Sequence, residues 1–312
     1  MARSLGTIKL SRFFARKSST WILIWALVVA LLLPSDRAWA GPYTKIVMFG
    51  DSLSDTGTML ALTGGAVPAS PNFAGRFSNG PVWVEYLASA LDLPLVNFAA
   101  GGALTGNGNL FETRLGADFP GLLEEIAQFI ALNPGPTDPN AVYVVWAGAN
   151  DFRVAAISGQ PPEMTIKNVI ENLVNAIVAL KKVGAEHIVV PNLPDLGRTP
   201  EGLSGGPAFS QQATALSQAF NQAYAIALDK LGFGLIRVDI FAEQHRIAKD
   251  PSEYGFTDVT TPCFIPPTTV CADPGSHLFW DPIHPTTEAH AILAEKVARA
   301  INQAVLRQHN KR

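Results

Sequence analysis

Short apolar runs alternate along this chain with longer stretches of helical period. The short runs are rich in branched residues and occupy positions 45–50, 94–98, 141–147, 187–192 and 235–240. Each is the length of a buried strand, and its continuous apolar character indicates a strand covered on both faces. We therefore predict that these runs form strands of one sheet.

The longer stretches have the spacing of amphipathic helices. Apolar residues recur there at intervals of three and four, which places them on one helix face. The pattern predicts helices at Trp83 to Leu91, Leu122 to Leu132, Ile166 to Val183, Gln211 to Leu231 and Thr286 to Leu306. Strands that alternate with helices indicate an α/β domain whose parallel sheet has helices on both faces, although the strand order stays open.

The N-terminal segment has the pattern of a secretory signal peptide. Residues 1–20 carry five basic residues and no acid, and residues 21–33 are wholly apolar. That apolar run is shorter than the roughly 20 residues of a spanning helix, and Ala38-Trp39-Ala40 is a small-x-small cleavage pattern. We predict cleavage after Ala40, a single domain at 41–312, and a secreted or periplasmic enzyme; an uncleaved membrane anchor is the alternative.

Removal of the signal peptide makes the chain acidic. The remainder has 17 basic and 25 acidic residues, a formal charge of −8. Nucleic acid is therefore excluded as an expected partner, because binding to phosphates requires a basic surface. No run of basic residues suggests docking to an anionic membrane, and we expect a monomer without a membrane span after cleavage.

Two cysteines, Cys263 and Cys271, lie in one proline-rich segment. In an oxidising compartment this pair predicts a disulfide bond that closes a small loop, with two free thiols as the alternative. A zinc site is disfavoured because two further ligands at suitable spacing are missing.

A candidate nucleophile follows the first apolar run. Residues 46–49 end abruptly at Gly50-Asp51-Ser52, so a strand delivers a hydroxyl to the edge of the sheet where open parallel sheets bind ligands. The sequence Gly-Asp-Ser is also an ordinary turn. Ser52 therefore needs partners elsewhere in the chain before it can be assigned a catalytic role.

A candidate base and its orienting carboxylate lie near the other end of the chain. Asp281 precedes His284 by three residues, with Pro282 and Pro285 beside them. We predict that Pro285 occupies the first position of the following helix, that His284 takes the proton of Ser52, and that Asp281 orients His284. A capped turn is the alternative interpretation of this segment.

Candidate oxyanion donors follow the second and third apolar runs. Gly102 lies five residues after Asn97, and Asn150 follows the run that ends at Ala147. Hydrogen-bond donors at the sheet edge would stabilise the charge that develops during acyl transfer. Taken singly, the glycines predict a tight turn and Asn150 a helix cap equally well.

These segments resemble, in order, the four blocks of the SGNH hydrolases, also called GDSL lipases and esterases. The blocks here are Gly50-Asp51-Ser52-Leu53-Ser54, Gly102, Gly148-Ala149-Asn150-Asp151 and Asp281-Pro282-Ile283-His284. Segments 76–83 and 191–197 are similar to the phospholipase and lecithinase-like branch of the family. The residues around Ser52 do not match the Gly-x-Ser-x-Gly elbow of α/β-hydrolases.

The resemblance implies a flavodoxin-like three-layer α/β/α fold with a five-stranded parallel sheet, and ester hydrolysis that needs no metal or other cofactor. It implies a triad of Ser52, Asp281 and His284 and an oxyanion hole of Ser52, Gly102 and Asn150. The expected substrate is a small-molecule or lipid ester, with loops 61–80, 103–120 and 250–280 shaping the pocket. An acyltransferase with the same acyl-enzyme is the alternative, followed by a non-catalytic lipid- or carbohydrate-binding module.

Overall fold

The computed structural model describes residues 43–309 with the exception of residue 268, so the predicted signal peptide at 1–40 lies outside the described residues. The main strands are β1 Ile46–Gly50, β2 Leu95–Asn97, β3 Val142–Trp146, β4 His187–Pro191 and β5 Ile236–Val238. Four shorter strands follow, namely β6 Asp258–Pro262, β7 Phe264–Ile265, β8 Thr269–Val270 and β9 His277–Phe279.

The helices alternate with these strands. They are α1 Thr58–Leu62, α2 Trp83–Leu91, α3 Glu112–Leu115, α4 Leu122–Leu132, α5 Ala149–Ser158, α6 Pro162–Lys182, α7 Pro200–Ser204, α8 Gly206–Lys230, α9 Ile240–Lys249 and α10 Thr287–His309. In residues 43–309, with 268 left aside, no helix combines the length and the apolar character needed to cross a bilayer.

The five main strands form one parallel sheet in the order β2-β1-β3-β4-β5. This order reverses direction between β1 and β3, because the chain leaves β1 toward β2 and then returns past it to β3. In open parallel sheets such a reversal opens a crevice at the carboxyl ends of the two strands. The chain therefore places the residues after Gly50 and after Trp146 at a natural binding site.

Alternation along the strands separates two cores. Ile46 and Met48 of β1 pack with α2 and α10 on one face, whereas Val47 and Phe49 pack with α4, α6 and α8 on the other. Successive side chains of a strand point to opposite faces, so a run that is apolar throughout requires helices on both sides. The result is the three-layer α/β/α sandwich that the sequence predicts.

The predicted strands and the long helices are confirmed, but three helices that line the cavity, α5, α7 and α9, were not predicted. Helix α5 has weak apolar periodicity and α7 is only 5 residues long, whereas α9 has a clear apolar face that the sequence prediction missed. The segment 250–280, predicted as a loop, contains the short pairs β6–β9 and β7–β8. The prediction for Pro285 is wrong, because α10 begins at Thr287. Pro285 instead pairs in a β-bridge with Phe279.

His290, in the first turns of α10, makes stability depend on pH. Its side chain is fully buried, and neither ring nitrogen has a hydrogen-bond partner. Burial, together with the charge of His284, lowers the pKa of His290 to about 3, whereas an unfolded histidine titrates near 6.5. Between these values the unfolded chain binds a proton that the folded chain does not, so stability falls as pH falls through this window.

We expect proton uptake by His290 in the unfolded chain to lower the free energy of unfolding by about 2 kcal/mol when pH is lowered from 7 to 5. Urea unfolding of the wild-type protein and of His290→Leu at both pH values measures this contribution. The variant should lose less stability than the wild-type protein over the same interval. Equal losses in the two proteins would show that His290 does not carry the effect.

Candidate active site

Strand β1 delivers Ser52 to the crevice through a close turn. Gly50, its last residue, lies so near β3 that a Cβ atom there would be 2.3 Å from the carbonyl oxygen of Trp146. Ser52 follows two residues later and is 8 % exposed. The glycine is therefore required by the approach of the neighbouring strand, and this contact fixes where the serine leaves the sheet.

The structure brings Ser52, His284 and Asp281 into one hydrogen-bonded chain. The Nε2 atom of His284 lies 2.8 Å from the Oγ atom of Ser52, and its Nδ1 atom lies 2.6 Å from Oδ2 of Asp281. These distances are within the reach needed for proton transfer. Two segments separated by more than 200 residues thus form the arrangement of a nucleophile, a base and an orienting carboxylate.

The loop that carries the base is held by Asp281 itself. Its second oxygen, Oδ1, accepts hydrogen bonds from the backbone N–H groups of Ile283 and His284 at 2.9 and 2.8 Å. Burial alone would raise the pKa of Asp281, but the charge of His284 and these hydrogen bonds lower it overall. The carboxylate therefore remains ionised at neutral pH and can stabilise a protonated His284.

Phe77 covers the imidazole. Its ring centroid lies 5.2 Å from that of His284, and a Cβ atom on Gly101 would come within 2.2 Å of the same ring. Phe77 thus packs between the base and the loop that follows β2. The sequence singled out segment 76–83 only by resemblance, and the tertiary structure assigns Phe77 its contact with His284.

The three predicted oxyanion donors retain hydrogens that can be donated to a ligand. Within the described part of the chain, the backbone N–H groups of Ser52 and Gly102 donate to no group. The Nδ2 atom of Asn150 uses one hydrogen on the carbonyl of Ala103 at 3.1 Å, which leaves a second. Asn150 lies inside α5, whose N-cap is Gly148, so it is not itself the cap.

Gly101 is excluded as the donor of the second block. Its N–H donates to Oδ2 of Asp55 at 2.7 Å. Gly102 has a φ angle of +81°, a conformation that favours glycine. These observations favour Gly102 over Gly101, in agreement with its spacing from Asn97.

Several acidic side chains lie near Ser52 without forming a hydrogen bond to its hydroxyl. Burial raises the pKa values of Asp51 and Asp151 to about 6 and raises that of Asp55. Asp55 accepts N–H bonds from the start of α1, and Asp151 accepts from Thr105. These hydrogen bonds order the loops around the site.

A cavity of about 910 Å³ opens beside the triad. Ser52, Asn150 and His284 line it, whereas Gly102 and Asp281 are not among its lining residues. Most of the wall is apolar, and α5, α6 and α8 contribute residues such as Phe152, Ile166 and Leu216. Such a volume is typical of sites that enclose an organic ligand, which span about 300–1,000 Å³.

The predicted origin of the pocket is wrong in large part. Among the described lining residues none comes from 61–80 or 103–120, and only Leu278 and Phe279 come from 250–280. Helices α5 and α7 and the N-terminal parts of α6 and α8 pack around the cavity and supply much of the wall instead. Sequence periodicity does not reveal this packing, because the same apolar face could equally cover the sheet.

One ion pair links two helices that line the cavity. Arg153 of α5 makes two hydrogen bonds to the carboxylate of Glu201 in α7, at 3.1 and 2.8 Å. The backbone N–H of Glu201 donates to the carbonyl of Pro282 in the loop of His284. Among the lining residues described, Arg153 is the only lysine or arginine. The pair therefore joins two helices of the cavity to the catalytic loop.

The cysteines form the predicted disulfide bond, Cys263–Cys271. The loop that it closes packs on Trp280, whose ring stacks on Phe264 at 5.4 Å. Within the described residues, the only group of three histidine, cysteine or acidic side chains close enough together to hold a metal ion is Cys263, Cys271 and His277. Both sulfurs are joined to each other and are not thiolate ligands.

Comparison with known proteins agrees with this geometry. The sequence model for the family described as GDSL-like lipase/acylhydrolase matches residues 46–297, which is most of the chain. The chain belongs to this family. It is accordingly a carboxylic ester hydrolase, with acyl ester hydrolysis or acyl transfer as its chemistry.

Three relatives of the chain are named for different activities. It is 28 % identical over 309 residues to a phosphatidylcholine-sterol acyltransferase of Aeromonas hydrophila, covering 83 % of this chain and 90 % of that protein. It is 30 % identical over 278 residues to a thermolabile hemolysin of Vibrio parahaemolyticus, covering 83 % of this chain but only 64 % of the hemolysin. An acetylesterase of Thermothelomyces thermophilus is 29 % identical over 305 residues, with 87 % of this chain and 95 % of that protein covered.

Proposed function

We propose that this GDSL-family protein is a secreted serine hydrolase that cleaves lipid or related acyl esters through an acyl-enzyme on Ser52. Asp281 and His284 complete its triad, and Ser52, Gly102 and Asn150 form its oxyanion hole. The observation that carries the proposal is the hydrogen-bonded chain of Asp281, His284 and Ser52, at 2.6 and 2.8 Å, on the wall of an apolar cavity.

In the first half-reaction, Oγ of Ser52 attacks the ester carbonyl carbon while Nε2 of His284 takes the hydroxyl proton. The carbonyl oxygen becomes negatively charged and accepts hydrogen bonds from the backbone of Ser52 and Gly102 and the amide of Asn150. The bond to the alcohol oxygen then breaks, and His284 returns its proton to the leaving alcohol.

In the second half-reaction, His284 removes a proton from water, and the hydroxide attacks the acyl carbon. The bond to Ser52 breaks, the free acid leaves, and the serine regains its proton. Only the oxyanion donors and the His284–Asp281 pair are needed for charge stabilisation in both halves.

A fluorophosphonate reagent tests the identity of the nucleophile. Oγ of an activated serine displaces fluoride and forms a stable phosphonyl ester that mimics the tetrahedral intermediate. We expect stoichiometric labelling, with the added mass on the tryptic peptide that contains Ser52. Labelling of a different residue, or none in the folded protein, would contradict the proposal.

Exposed apolar side chains near the cavity support a lipid substrate. Ile157 and Phe209 line it and are 84 % and 47 % exposed, and Met164 and Leu203 lie beside lining residues at 53 % and 37 %. A group of exposed apolar side chains is typical of a surface that contacts a membrane or another apolar phase. The name of the Aeromonas hydrophila relative points in the same direction.

Replacement of Ile157 by aspartate tests this interpretation. We expect hydrolysis of phospholipid vesicles to fall about tenfold, because transfer of an isoleucine into an apolar phase is worth about 1.5–3 kcal/mol. Hydrolysis of a soluble butyrate ester should remain unchanged. Ile226→Asp is the matched control, since Ile226 is 56 % exposed but does not line the cavity. Equal effects of the two variants would contradict a membrane-facing role for this surface.

Acyl transfer is the second candidate, favoured by the similarity to the phosphatidylcholine-sterol acyltransferase. An acceptor alcohol would replace water in the second half-reaction. Measuring free acid against transesterified product while the alcohol concentration rises separates the two. If free acid remains the main product as the alcohol concentration rises, the protein is a hydrolase.

Secretion is part of the proposal because of the signal-peptide pattern at 1–40. Export should remove this segment and leave Gly41 as the first residue of a single domain. N-terminal sequencing of the exported protein measures this directly, and an intact N-terminus on exported protein would refute the proposed cleavage.

A further inference from the structure

Glu125 of α4 is a buried carboxylate that bonds only to backbone. Its side chain is inaccessible, its Oε2 accepts the N–H of Gly50 at 2.8 Å, and its Oε1 accepts the N–H of Ala100 at 3.1 Å. None of the ion pairs formed in the described part of the chain includes it. Glu125 lies on the apolar face of its helix, between Leu122 and Phe129.

This arrangement is costly for stability alone. A carboxylate removed from water without a counter-charge is disfavoured, although an apolar side chain in its place would leave the buried N–H of Gly50 without this acceptor. Burial accordingly raises the pKa of Glu125 well above its ordinary value, although the two backbone hydrogen bonds act in the opposite direction. The position therefore serves the two hydrogen bonds rather than apolar packing.

The two backbone N–H groups that Glu125 binds lie at equal sequence distances from two proposed oxyanion donors. Gly50 lies two residues before Ser52, and Ala100 lies two residues before Gly102. The two segments also contact directly, since the N–H of Ala100 donates to the carbonyl of Gly50 at 3.1 Å. One planar carboxylate thus spans the strand end that carries the first donor and the loop that carries the second.

We propose that Glu125 is a positioning residue of the oxyanion hole, whose two oxygens set the spacing between the N–H groups of Ser52 and Gly102. The proposal rests on the proposed function, because it assigns these two groups to the developing oxyanion. Donors that stabilise a transition state must be in place before the charge forms. A misplacement of about 1 Å can cost about a hundredfold in rate.

Glu125→Gln tests the proposal with little change of volume. The amide oxygen can accept one of the two N–H groups, but the amide NH₂ then faces the other and repels it, which shifts one segment even though the bond from the N–H of Ala100 to the carbonyl of Gly50 remains. We expect kcat for a soluble butyrate ester to fall about tenfold to a hundredfold with KM within about threefold. Affinity for an alkyl boronic acid, which forms a tetrahedral adduct on Ser52, should fall by a similar factor.

Glu124→Gln is the matched control. Glu124 is the neighbouring residue on the same helix, and its carboxylate also accepts two backbone N–H bonds, from Gly108 and Gly121, both at 2.9 Å. Neither Gly108 nor Gly121 lies two residues before a proposed oxyanion donor. We expect its kcat to stay within about threefold of the wild-type value.

Thermal unfolding of both variants distinguishes positioning from stability. A lower Tm for Glu125→Gln with unchanged kcat and boronic acid affinity would overturn the proposal, as would equal losses of kcat in Glu124→Gln. Should Glu125→Gln fail to fold, Glu125→Asp, which is too short to reach both N–H groups, takes its place in the same measurements. Absence of Ser52-dependent turnover in the wild-type enzyme would instead refute the proposed function.

Discussion

Ser52→Ala is expected to lower kcat for ester hydrolysis by about 10⁴-fold or more, the scale seen when the nucleophile of a serine hydrolase is removed. The variant keeps His284 and Asp281 but has no oxygen that can form the acyl-enzyme. Because Ser52 is at the surface of the cavity and its Oγ bonds to His284 alone among the described residues, the fold should be preserved. Steady-state kinetics with a chromogenic butyrate ester measures the loss.

Ser54→Ala is the control for this result. Ser54 lies in the same turn, is fully buried, and its Oγ accepts the N–H of Trp83 at 3.0 Å. Loss of this bond removes a structural contact but no catalytic group, so we expect kcat within about tenfold of the wild-type value. More than 1 % of wild-type kcat in purified Ser52→Ala, free of contaminating esterase, would refute the assignment of the nucleophile.

Asp281→Asn is expected to lower kcat by about 10⁴-fold while leaving substrate binding almost unchanged. In the wild-type enzyme the carboxylate accepts the proton on Nδ1 of His284 at 2.6 Å, so Nε2 is free to accept from Ser52. An asparagine amide can donate to Nδ1 and favour the opposite tautomer, in which Nε2 carries the proton and cannot act as a base. Kinetics across pH 5 to 9 measures the effect.

The depressed pKa of Asp281 determines how that profile should look. The wild-type carboxylate is already ionised across this range, so its titration should not shape the wild-type profile, and the variant should be the less active enzyme at every pH measured. Asp273→Asn, the same change at an exposed aspartate eight residues earlier, serves as the control and should behave as wild type. Activity within about tenfold of wild type in Asp281→Asn would contradict the role of orienting carboxylate.

The parts of the site that depend on local sequence were predictable. The apolar run ending at Gly50 predicts both the strand and the exit of Ser52, and the three-residue spacing of Asp281 and His284 lets one loop hold both side chains. The N–H bond between Gly101 and Asp55 was not predictable, yet it selects Gly102 over its neighbour. That choice depends on which of two adjacent N–H groups is already bonded.

The parts that depend on distant segments were not predictable. Phe77 contacts His284, and helices α5 to α8 form the cavity, only because the order β2-β1-β3-β4-β5 brings these segments to one edge. Glu125 does leave one sequence signal, a charged residue on the apolar face of a predicted helix. Its partners Gly50 and Ala100 follow only from the folded structure.

Fold class, family and the proposed roles of Ser52, Asp281 and His284 follow from the amino-acid sequence alone, because periodicity and short motifs are properties of neighbouring residues. The tertiary structure decided which oxyanion donor is free, where the cavity lies, and that a buried carboxylate joins the strand of Ser52 to the loop of Gly102. Each of these depends on distances between residues that are far apart in the chain, and such distances are set by packing across the sheet rather than by local pattern.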